Sequence, residues 1–336
     1  MPSPSAGAHD AQNRIVWTSR DVRRLLRAPG ERDDKRSRGV VALRTGSDAY
    51  PGAAVLGVEG AWRAGCGYVR YVGPRRAADL VLARRPETIV TDPIVADDRS
   101  VRVGTRVETA HALGGVRGDA WVIGSGTDHA GQAESETAAL RELLAGTVPI
   151  VVDAGALALL PATAPVIATP HAGEFRGLRA TLGLDPVDTD TLQDPARRAD
   201  AVRETADALG GTVLLKGATT LIADPGAAQA IAVDAGTGWL ATAGTGDVLA
   251  GVIGALLASR VLNPATPLAE VAATGTWLHG TAGRIAAEVG ARRPGHPIVA
   301  LDVAEALPAA FAFGLAADDA GAGHIEHHEE TEEGRA

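Results

Sequence analysis

The sequence predicts an α/β domain whose mostly parallel sheet is covered by helices on both faces. Segments with strand character alternate with segments of helical spacing along most of the 336 residues. Residues 150–152 and 213–215 are continuous apolar runs, which is typical of strands buried inside a parallel sheet. Glycines or polar residues directly follow several of the predicted strands. Ligands of such sheets bind beyond the carboxyl ends of the strands, so these residues are candidates for one shared site.

The elements follow in order along the chain. A strand at residues 40–43, a loop, a helix of small residues at 53–64 and a strand at 68–72 together imply a parallel pair. Residues 221–223 and 230–233 predict a hairpin around residues 224–226. Further strands are predicted at 88–91, 120–123, 149–152, 166–168 and 212–215, and further helices at 75–84, 133–145, 196–209, 248–258, 267–289 and 302–313.

The two ends of the chain differ in composition from the middle. Residues 1–34 are expected to form an extension with a short helix that Ser19 caps. Residues 35–315 would form the α/β domain. Residues 316–336 are expected to be a disordered acidic tail, because seven acids and one arginine lie from residue 318 onward.

Composition excludes several classes of function. A net charge of −9 argues against a nucleic-acid surface, which would need clustered lysine and arginine. The single cysteine, Cys66, allows neither an intrachain disulfide nor a cysteine metal cluster, and it fits a reducing compartment. The longest strongly apolar helix is about half the length that a membrane crossing needs. We therefore expect a soluble cytoplasmic protein with no membrane or nucleic-acid partner.

A glycine-rich turn that opens a helix is the most informative stretch. It contains Gly244-Thr245-Gly246-Asp247, and its amides together with the helix N-terminus could hold a phosphate. Asp247 would repel that phosphate, so its presence needs a reason. It could cap the helix, or it could take a proton from a hydroxyl that is about to be phosphorylated.

Lysine is rare in this chain, with two lysines against thirty arginines. Lysine is a compact, flexible point charge, and arginine cannot always replace it. Lys216 directly follows a predicted strand, which favours a functional role over an exposed strand end. Lys35 lies in a charged run, where a solvated face explains it equally well.

Two common nucleotide motifs do not explain the chain. The P-loop pattern G-x-x-x-x-G-K-S/T is absent from the sequence. Residues 236–241 match G-x-G-x-x-A, but they come late and lack the acidic residue that binds ribose about 20 residues further on. A different phosphate-binding arrangement is therefore needed.

Other segments accompany the glycine turn. They read K-x-x-x-G at 35–39, G-A-A at 52–54, D-A-x-A-L at 153–157, T-P-H-x-G-E-F at 169–175 and K-G-x-x-T at 216–220. Over about residues 35–310 the chain resembles the ADP-dependent NAD(P)H-hydrate dehydratases of the ribokinase-like superfamily. The G-T-G-D turn alone would indicate only a ribokinase-like kinase, whereas the last two segments are far more specific. One loop departs from the family's G-P-G-L-G and reads Gly124-Ser125-Gly126-Thr127-Asp128.

The resemblance implies a three-layer α/β/α sandwich and a metabolite repair reaction. The S-form of hydrated NADH or NADPH would lose water at the expense of ADP, through phosphorylation of the C6 hydroxyl and elimination of phosphate. The resemblance further implies Mg²⁺, whose ligands the sequence does not indicate, and a homo-oligomer, with a tetramer expected.

The same resemblance assigns roles to individual residues. Asp247 would be the catalytic base, and the amides of Gly244, Thr245 and Gly246 would form an anion hole. The substrate would contact Asp247 together with Ala53, Gly126 and His171. The nucleotide would contact Gly246 and the segment Lys216, Gly217, Ala218, Thr219 and Thr220.

Alternatives remain open at this stage. The protein could be a ribokinase-like kinase that phosphorylates a small alcohol with ATP, or a nucleotide-binding regulator without activity. At single positions, His171 could cap or pack at a helix start. Gly124 and Gly126 could serve only a tight turn.

Overall fold

The computed structural model describes residues 14–91, 116–126, 134–259 and 263–316, and these form one ten-stranded sheet with helices on both faces. The strand order is β1-β10-β9-β8-β7-β6-β5-β2-β3-β4. All neighbouring strands pair in parallel except β9, which is antiparallel to both β8 and β10. The strands are β1 Arg14–Val16, β2 Val40–Arg44, β3 Tyr68–Val72, β4 Ile89–Thr91, β5 Ala120–Ile123, β6 Ile150–Val152, β7 Val166–Ala168, β8 Thr212–Leu215, β9 Thr220–Ala223 and β10 Ala230–Val233.

The helices within the described ranges lie in two layers. They are α1 Ser19–Leu25, α2 Pro51–Arg63, α3 Arg75–Arg84, α4 Glu134–Leu144, α5 Ala172–Thr181, α6 Thr189–Gln193, α7 Pro195–Leu209, α8 Thr245–Ser259, α9 Leu268–Ala286 and α10 Ala300–Ala316. Short 3₁₀ helices span Ala154–Leu159 and Gly238–Leu240. None of the described helices is long and apolar enough to span a bilayer.

Alternating side chains of the strands build two separate cores. In β5, Val122 packs into one core, with α2, α8, α9 and α10, while Trp121 and Ile123 pack into the other, with α4, α5 and α7. This follows from the two-residue repeat of a strand, which sends successive side chains to opposite faces. The predicted three-layer architecture, the mostly parallel sheet and the hairpin of β9 and β10 are confirmed.

The N-terminal segment packs onto the sheet and one helix layer. β1 pairs in parallel with β10, and Trp17, Val22 and Leu26 are buried in the same core as α9 and α10. The short helix was predicted, but its N-cap is Thr18 and not Ser19, since the Asp21 carboxylate accepts a hydrogen bond of 2.9 Å from the Thr18 amide. Apart from Ala316, which ends α10, the predicted acidic tail lies outside the described residues.

The topology brings five strand ends to one edge. Because β2, β5, β6, β7 and β8 run in parallel, the residues after them lie at a common carboxyl edge of the sheet. The strand order changes direction between β5 and β2, where an α/β sheet forms its ligand crevice. Helices α2 and α8 begin at this edge, so their first turns face the same crevice.

Candidate active site

The glycine turn is held rigidly at the start of α8. The hydroxyl of Thr245 lies 2.9 Å from the backbone carbonyl oxygens of both Leu240 and Thr242. Gly244 has φ of +89°, and a Cβ at that position would lie 2.5 Å from the Leu56 side chain. Glycine is therefore needed there for both backbone conformation and space. The helix begins at Thr245, three residues before the predicted start, so Asp247 lies in its first turn.

Asp153 is the centre of a buried polar cluster beside this turn. Its Oδ1 accepts hydrogen bonds from Lys216 Nζ at 2.9 Å and from Thr169 Oγ1 at 2.7 Å. Its Oδ2 accepts one from Ser125 Oγ at 2.9 Å. Asp153 is only 4% exposed, and a buried carboxylate is tolerated when it is paired and hydrogen-bonded in this way.

The electrostatic environment of Asp247 suits a general base. Burial, followed by the charge of Asp153, raises its pKa to about 6, against opposing effects from a hydrogen bond with Ser125 and the charge of Lys216. A carboxylate with that pKa is mostly ionised at neutral pH and still accepts a proton more readily than an exposed one. Asp247 can therefore remove a proton from a bound hydroxyl.

Lys216 faces the first turn of α8. A Cβ built on Gly246 would lie 3.7 Å from Lys216 Nζ, and Glu174 Oε2 is 3.9 Å from the same nitrogen. The ammonium group is partly exposed while it contacts the buried Asp153. The structure thus brings together Lys216, Gly246 and Asp247, which the sequence placed in one site.

Ala53 and Gly126 form one wall of the crevice. Ala53 lies in the first turn of α2, and a Cβ on Gly126 would come within 2.5 Å of the Ala53 Cβ. Gly126 has φ of +67°, which also favours glycine. Both residues occupy the same edge as the glycine turn, whereas Thr127 and Asp128 lie outside the described residues.

His171 caps helix α5. Its Nδ1 accepts hydrogen bonds from the Gly173 and Glu174 amides at 3.0 and 3.3 Å, and Glu174 Oε2 accepts one from the His171 amide. The predicted alternative that His171 caps a helix is therefore confirmed, and its Nδ1 is the atom that forms the cap. The side chain is 61% exposed beyond the end of β7, and its Nε2 lies 3.5 Å from Glu174 Oε1. A capping role for one nitrogen leaves the exposed ring surface able to face a ligand.

The segment 216–220 connects β8 to β9 beside the same edge. Arg198 stabilises this segment by donating a hydrogen bond of 2.7 Å to the Thr219 carbonyl oxygen. Gly217 and Ala218 are exposed, whereas Thr220 is 6% exposed with its hydroxyl 3.5 Å from the Gly217 carbonyl oxygen. The exposed part of the loop can contact a nucleotide, and the Thr220 hydroxyl is directed inward.

Ser125, Asp153 and Thr169 directly follow predicted strands, so the sequence already places them among the candidates for a shared site, although it gives them no role. It does not place His279 there. His279 in α9 is 7% exposed, hydrogen-bonds to the backbone of Thr245, and its pKa is lowered to about 4 by burial. Its Nε2 has no hydrogen-bond partner within the described ranges. In the sequence, His279 lies in the segment Leu278-His279-Gly280 inside the predicted helix at 267–289, where no strand end marks it as part of the site.

A comparison with known families adds to this geometry. The family model Carb_kinase, described as NAD(P)H-hydrate dehydratase, matches residues 41–299. The chain belongs to this family. That range contains Asp247, Asp153, Lys216 and the other residues of the cluster. The predicted resemblance is confirmed.

Individual relatives agree with the family assignment. The chain is 42% identical over 253 residues to the bifunctional NAD(P)H-hydrate repair enzyme Nnr of Mycobacterium tuberculosis strain H37Rv, covering 73% of this chain and 46% of that protein. It therefore spans about half the length of this relative. It is 31% identical over 293 residues to the ADP-dependent (S)-NAD(P)H-hydrate dehydratase of Neisseria meningitidis serogroup B, covering 83% and 88%.

Solved structures share the fold. The ADP/ATP-dependent NAD(P)H-hydrate dehydratase of Bacillus subtilis, co-crystallised with ATP/Mg²⁺, matches with a TM-score of 0.72 and 28% identity, covering 89% of this chain and 98% of that one. A ribokinase-like superfamily protein from Enterococcus faecalis matches with a TM-score of 0.70 at 20% identity, covering 90% and 97%. The predicted ribokinase-like fold is thereby confirmed.

Proposed function

We propose that this member of the NAD(P)H-hydrate dehydratase family restores NADH and NADPH from the S-forms of their hydrates. ADP would be the phosphoryl donor, and AMP and phosphate the other products. The observation that supports this most strongly is the Asp247 carboxylate, with its pKa of about 6, in the first turn of α8 beside Lys216. The name of the Neisseria relative supports the choice of ADP and of the S-form.

The chemistry needs a base at a hydroxyl. Hydroxide on C6 of the nicotinamide ring is a poor leaving group, and phosphorylation turns it into a good one. Asp247 would take the hydroxyl proton while the oxygen attacks the β-phosphorus of ADP, and the bond from that phosphorus to AMP breaks. The electron pair of the ring nitrogen then expels phosphate, and loss of a proton from C5 restores the double bond.

The transferred phosphoryl group needs donors for its developing charge. The amides of Gly244, Thr245 and Gly246 at the N-terminus of α8 would supply them, because first-turn N–H groups have no partner within the helix. The positive φ of Gly244 and the hydrogen bonds of the Thr245 hydroxyl fix the shape of the turn, so its amide donors would be aligned before the phosphoryl group binds.

The nucleotide and the hydrated dinucleotide would bind on two sides of this turn. Lys216 would contact the phosphates, and Gly217, Ala218, Thr219, Thr220 and Gly246 would surround the AMP part. Ala53, Gly126 and His171 would contact the hydrated dinucleotide. The close packing of Ala53 against Gly126 supports this placement of the dinucleotide, because this wall of the crevice has no large side chains.

The oxygen donors at this edge fit a magnesium ion that the nucleotide phosphates hold. Mg²⁺ commonly binds through one or two carboxylates, phosphates and several waters. Within the described ranges no group of three metal-binding side chains occurs. Both oxygens of Asp153 are engaged, which leaves Asp247 and Glu174 as the carboxylates that could assist. When bound, the ion would neutralise phosphate charge.

A cytoplasmic location and a homotetramer are part of the same proposal. They are supported by the family resemblance, because NADH and NADPH are used inside the cell. Light scattering after gel filtration would measure the mass of the assembly, and a mass of one chain would contradict the tetramer.

The activity has a direct test. Purified protein with hydrated NADH and ADP should restore the absorbance of the dihydronicotinamide. ADP and ATP would be compared side by side. Accumulation of a phosphorylated product without restored absorbance would favour a kinase, and no turnover with either nucleotide would contradict the proposal.

A pair of variants tests the base. Asp247→Asn should lower kcat by about 10²- to 10⁴-fold, the usual contribution of a general base. AMP binding should persist, since the amide keeps the shape of the side chain. The matched control is Asp190→Asn, because Asp190 is an exposed aspartate on α6. Equal turnover in both variants would rule out Asp247 as the base.

A further inference from the structure

A second cavity lies at the end of the helix layer opposite to the candidate active site. It has a volume of about 640 Å³ and is lined by the C-terminal ends of α2 and α8. Asp247 and Ser259 occupy opposite ends of α8, about 18 Å apart at 1.5 Å per residue. The cavity is therefore distinct from the crevice at the carboxyl edge of the sheet.

Arginine dominates the charged lining of this cavity. Its walls include Arg23, Arg24, Arg27, Arg38 and Arg63, and no aspartate or glutamate is among the lining residues of the described chain. The protein as a whole has a net charge of −9, whereas the five arginines give the lining of this cavity a positive charge.

Only part of this charge is neutralised by neighbours. Arg24 and Arg27 form ion pairs with Asp21 and Asp33 at 2.9 and 2.7 Å. Arg23 makes no ion pair with any residue that the structure describes. Arg38 donates to the Gly65 carbonyl at 2.7 Å, a neutral partner.

Arg63 is also weakly compensated. Its Nε lies 3.8 Å from Glu59 Oε2, and Glu59 is held more closely by Arg84 and Arg85. Arg23, Arg38 and Arg63 therefore retain most of their positive charge.

Helix C-termini explain some of these arginines but not all. The ends of α1, α2 and α8 line the cavity, and each helix C-terminus carries about half a negative charge. Their sum of roughly −1.5 does not offset three weakly compensated guanidinium groups. A net positive potential remains inside the cavity.

Two buried polar atoms of the lining residues make no hydrogen bond within the described part of the chain. Thr274 on α9 is 1% exposed, and its Oγ1 makes no hydrogen bond within the described residues. Two residues further along the helix, the Thr276 hydroxyl donates to the Ala272 carbonyl at 2.8 Å. Arg63 Nε is likewise buried without a hydrogen bond. Buried polar groups are normally satisfied, so these two atoms are an exception within the residues that line the cavity.

The remaining walls are apolar. Leu25, Leu26, Leu256, Val271 and Phe311 contribute side chains to them. A volume of 640 Å³ falls in the range of small-molecule sites, which combine apolar walls with a few placed polar groups. The occupant should therefore have an apolar body as well as a negative charge.

We propose that this cavity binds a small organic anion, a carboxylate or a phosphate ester with an apolar body, at a site separate from the active site. Guanidinium groups of Arg38 and Arg63 form paired hydrogen bonds with such anions, and Arg23 adds charge at the rim. This site does not depend on the proposed dehydratase reaction.

Fluorescence titration of the full chain with 8-anilinonaphthalene-1-sulfonate, an aromatic anion, tests the site. Binding should saturate at one probe per chain, and saturating ADP should not displace it. The double variant Arg23→Ala/Arg38→Ala should weaken binding at least tenfold. The matched control is Arg75→Ala/Arg197→Ala, which removes two exposed arginines elsewhere and should bind as the wild type does. Equal binding by both double variants, or displacement by ADP, would overturn the proposal.

Competition identifies the chemistry of the ligand. Octanoate and octyl phosphate should displace the probe, and the stronger of the two indicates carboxylate or phosphate. Octanol has the same apolar body without charge and should not compete. If octanol competes as well as octanoate, the cavity is merely apolar and the proposal is wrong.

Discussion

Lys216 Nζ lies 2.9 Å from Asp153 Oδ1, although 63 residues separate the two in sequence. Each follows a strand of the parallel sheet, and the pair lies beside the first turn of α8. Lys216 lowers the pKa of Asp247 and Asp153 raises it, so this ion pair adjusts the acidity of the proposed base. The arrangement would join the proposed nucleotide-binding group and the proposed base in one cluster.

Removal of Lys216 should shift the pH dependence of the reaction. In Lys216→Met the charge that lowers the pKa of Asp247 is lost, so that pKa should rise above its value of about 6. The acid limb of kcat/KM should then move to higher pH, and KM for ADP should rise. Lys35→Met, at the only other lysine, is the matched control and should behave as the wild type. An unchanged acid limb would argue against coupling between Lys216 and Asp247.

Ser125 should act on the same pKa in the same direction. Its hydroxyl, which donates to Asp153 Oδ2 at 2.9 Å, also interacts with Asp247 and lowers the pKa of that carboxyl group. Ser125→Ala should therefore raise the pKa and shift the acid limb of kcat/KM upward, with little change in the alkaline plateau. Ser47→Ala, in the loop before α2, serves as the control. A fall in kcat at all pH values without any shift would mean that Ser125 acts by another route.

Asp247→Asn should stabilise the protein at alkaline pH. The folded-state pKa of about 6 exceeds the ordinary value of 3.8, so ionised Asp247 destabilises the fold above pH 6. This cost, about 3 kcal/mol, disappears as the pH falls through 6 toward 3.8. Urea unfolding should show a gain for the variant at pH 8 and none at pH 4. A gain of the same size at both pH values would contradict this account.

His279 should have the opposite effect on stability and should destabilise the fold as the pH falls. Its pKa is lowered from 6.5 to about 4 by burial, so the unfolded chain takes up a proton that the folded chain refuses. Stability should fall by about 3 kcal/mol between pH 6.5 and 4, and His279→Asn should lose that dependence. Both proteins would be measured in an Asp247→Asn background, which removes the compensating effect of Asp247. Parallel stability curves with and without His279 would refute the assignment.

Close packing of α2 against α8 should tolerate no added methyl group. A Cβ on Gly251 would lie 2.0 Å from the Gly57 carbonyl oxygen, so Gly251→Ala must push the two helices apart. Overpacking of this kind costs about 1–3 kcal/mol, and it should lower kcat because α8 positions Asp247. Gly52→Ala on α2 is the control, since nothing lies within 4 Å of its Cβ position. Denaturant midpoints for the two variants should differ clearly, and equal midpoints would contradict the packing argument.

Much of the fold could be predicted from local patterns. The strands alternate with helices, and apolar runs such as residues 213–215 identify buried strands without any tertiary information. Element boundaries were less accurate, because end residues depend on caps. Thr18, and not Ser19, caps α1, because its backbone pairs with the Asp21 side chain. Helix α8 begins at Thr245 because the Thr245 hydroxyl bonds to carbonyl oxygens of the preceding turn and holds it in place.

The sequence by itself determined the fold class, the family and the position of Asp247, since these depend on periodicity and on short contiguous motifs. Only the tertiary structure decided which polar residues surround Asp247. Ser125, Asp153 and Lys216 follow different strands, so the sequence places them at one edge of the sheet, but it does not indicate which of their side chains contact one another. Parallel pairing brings the strand ends together, and burial then sets the pKa of Asp247 near 6. Its acidity is therefore a property of the assembled sheet and not of the glycine turn alone.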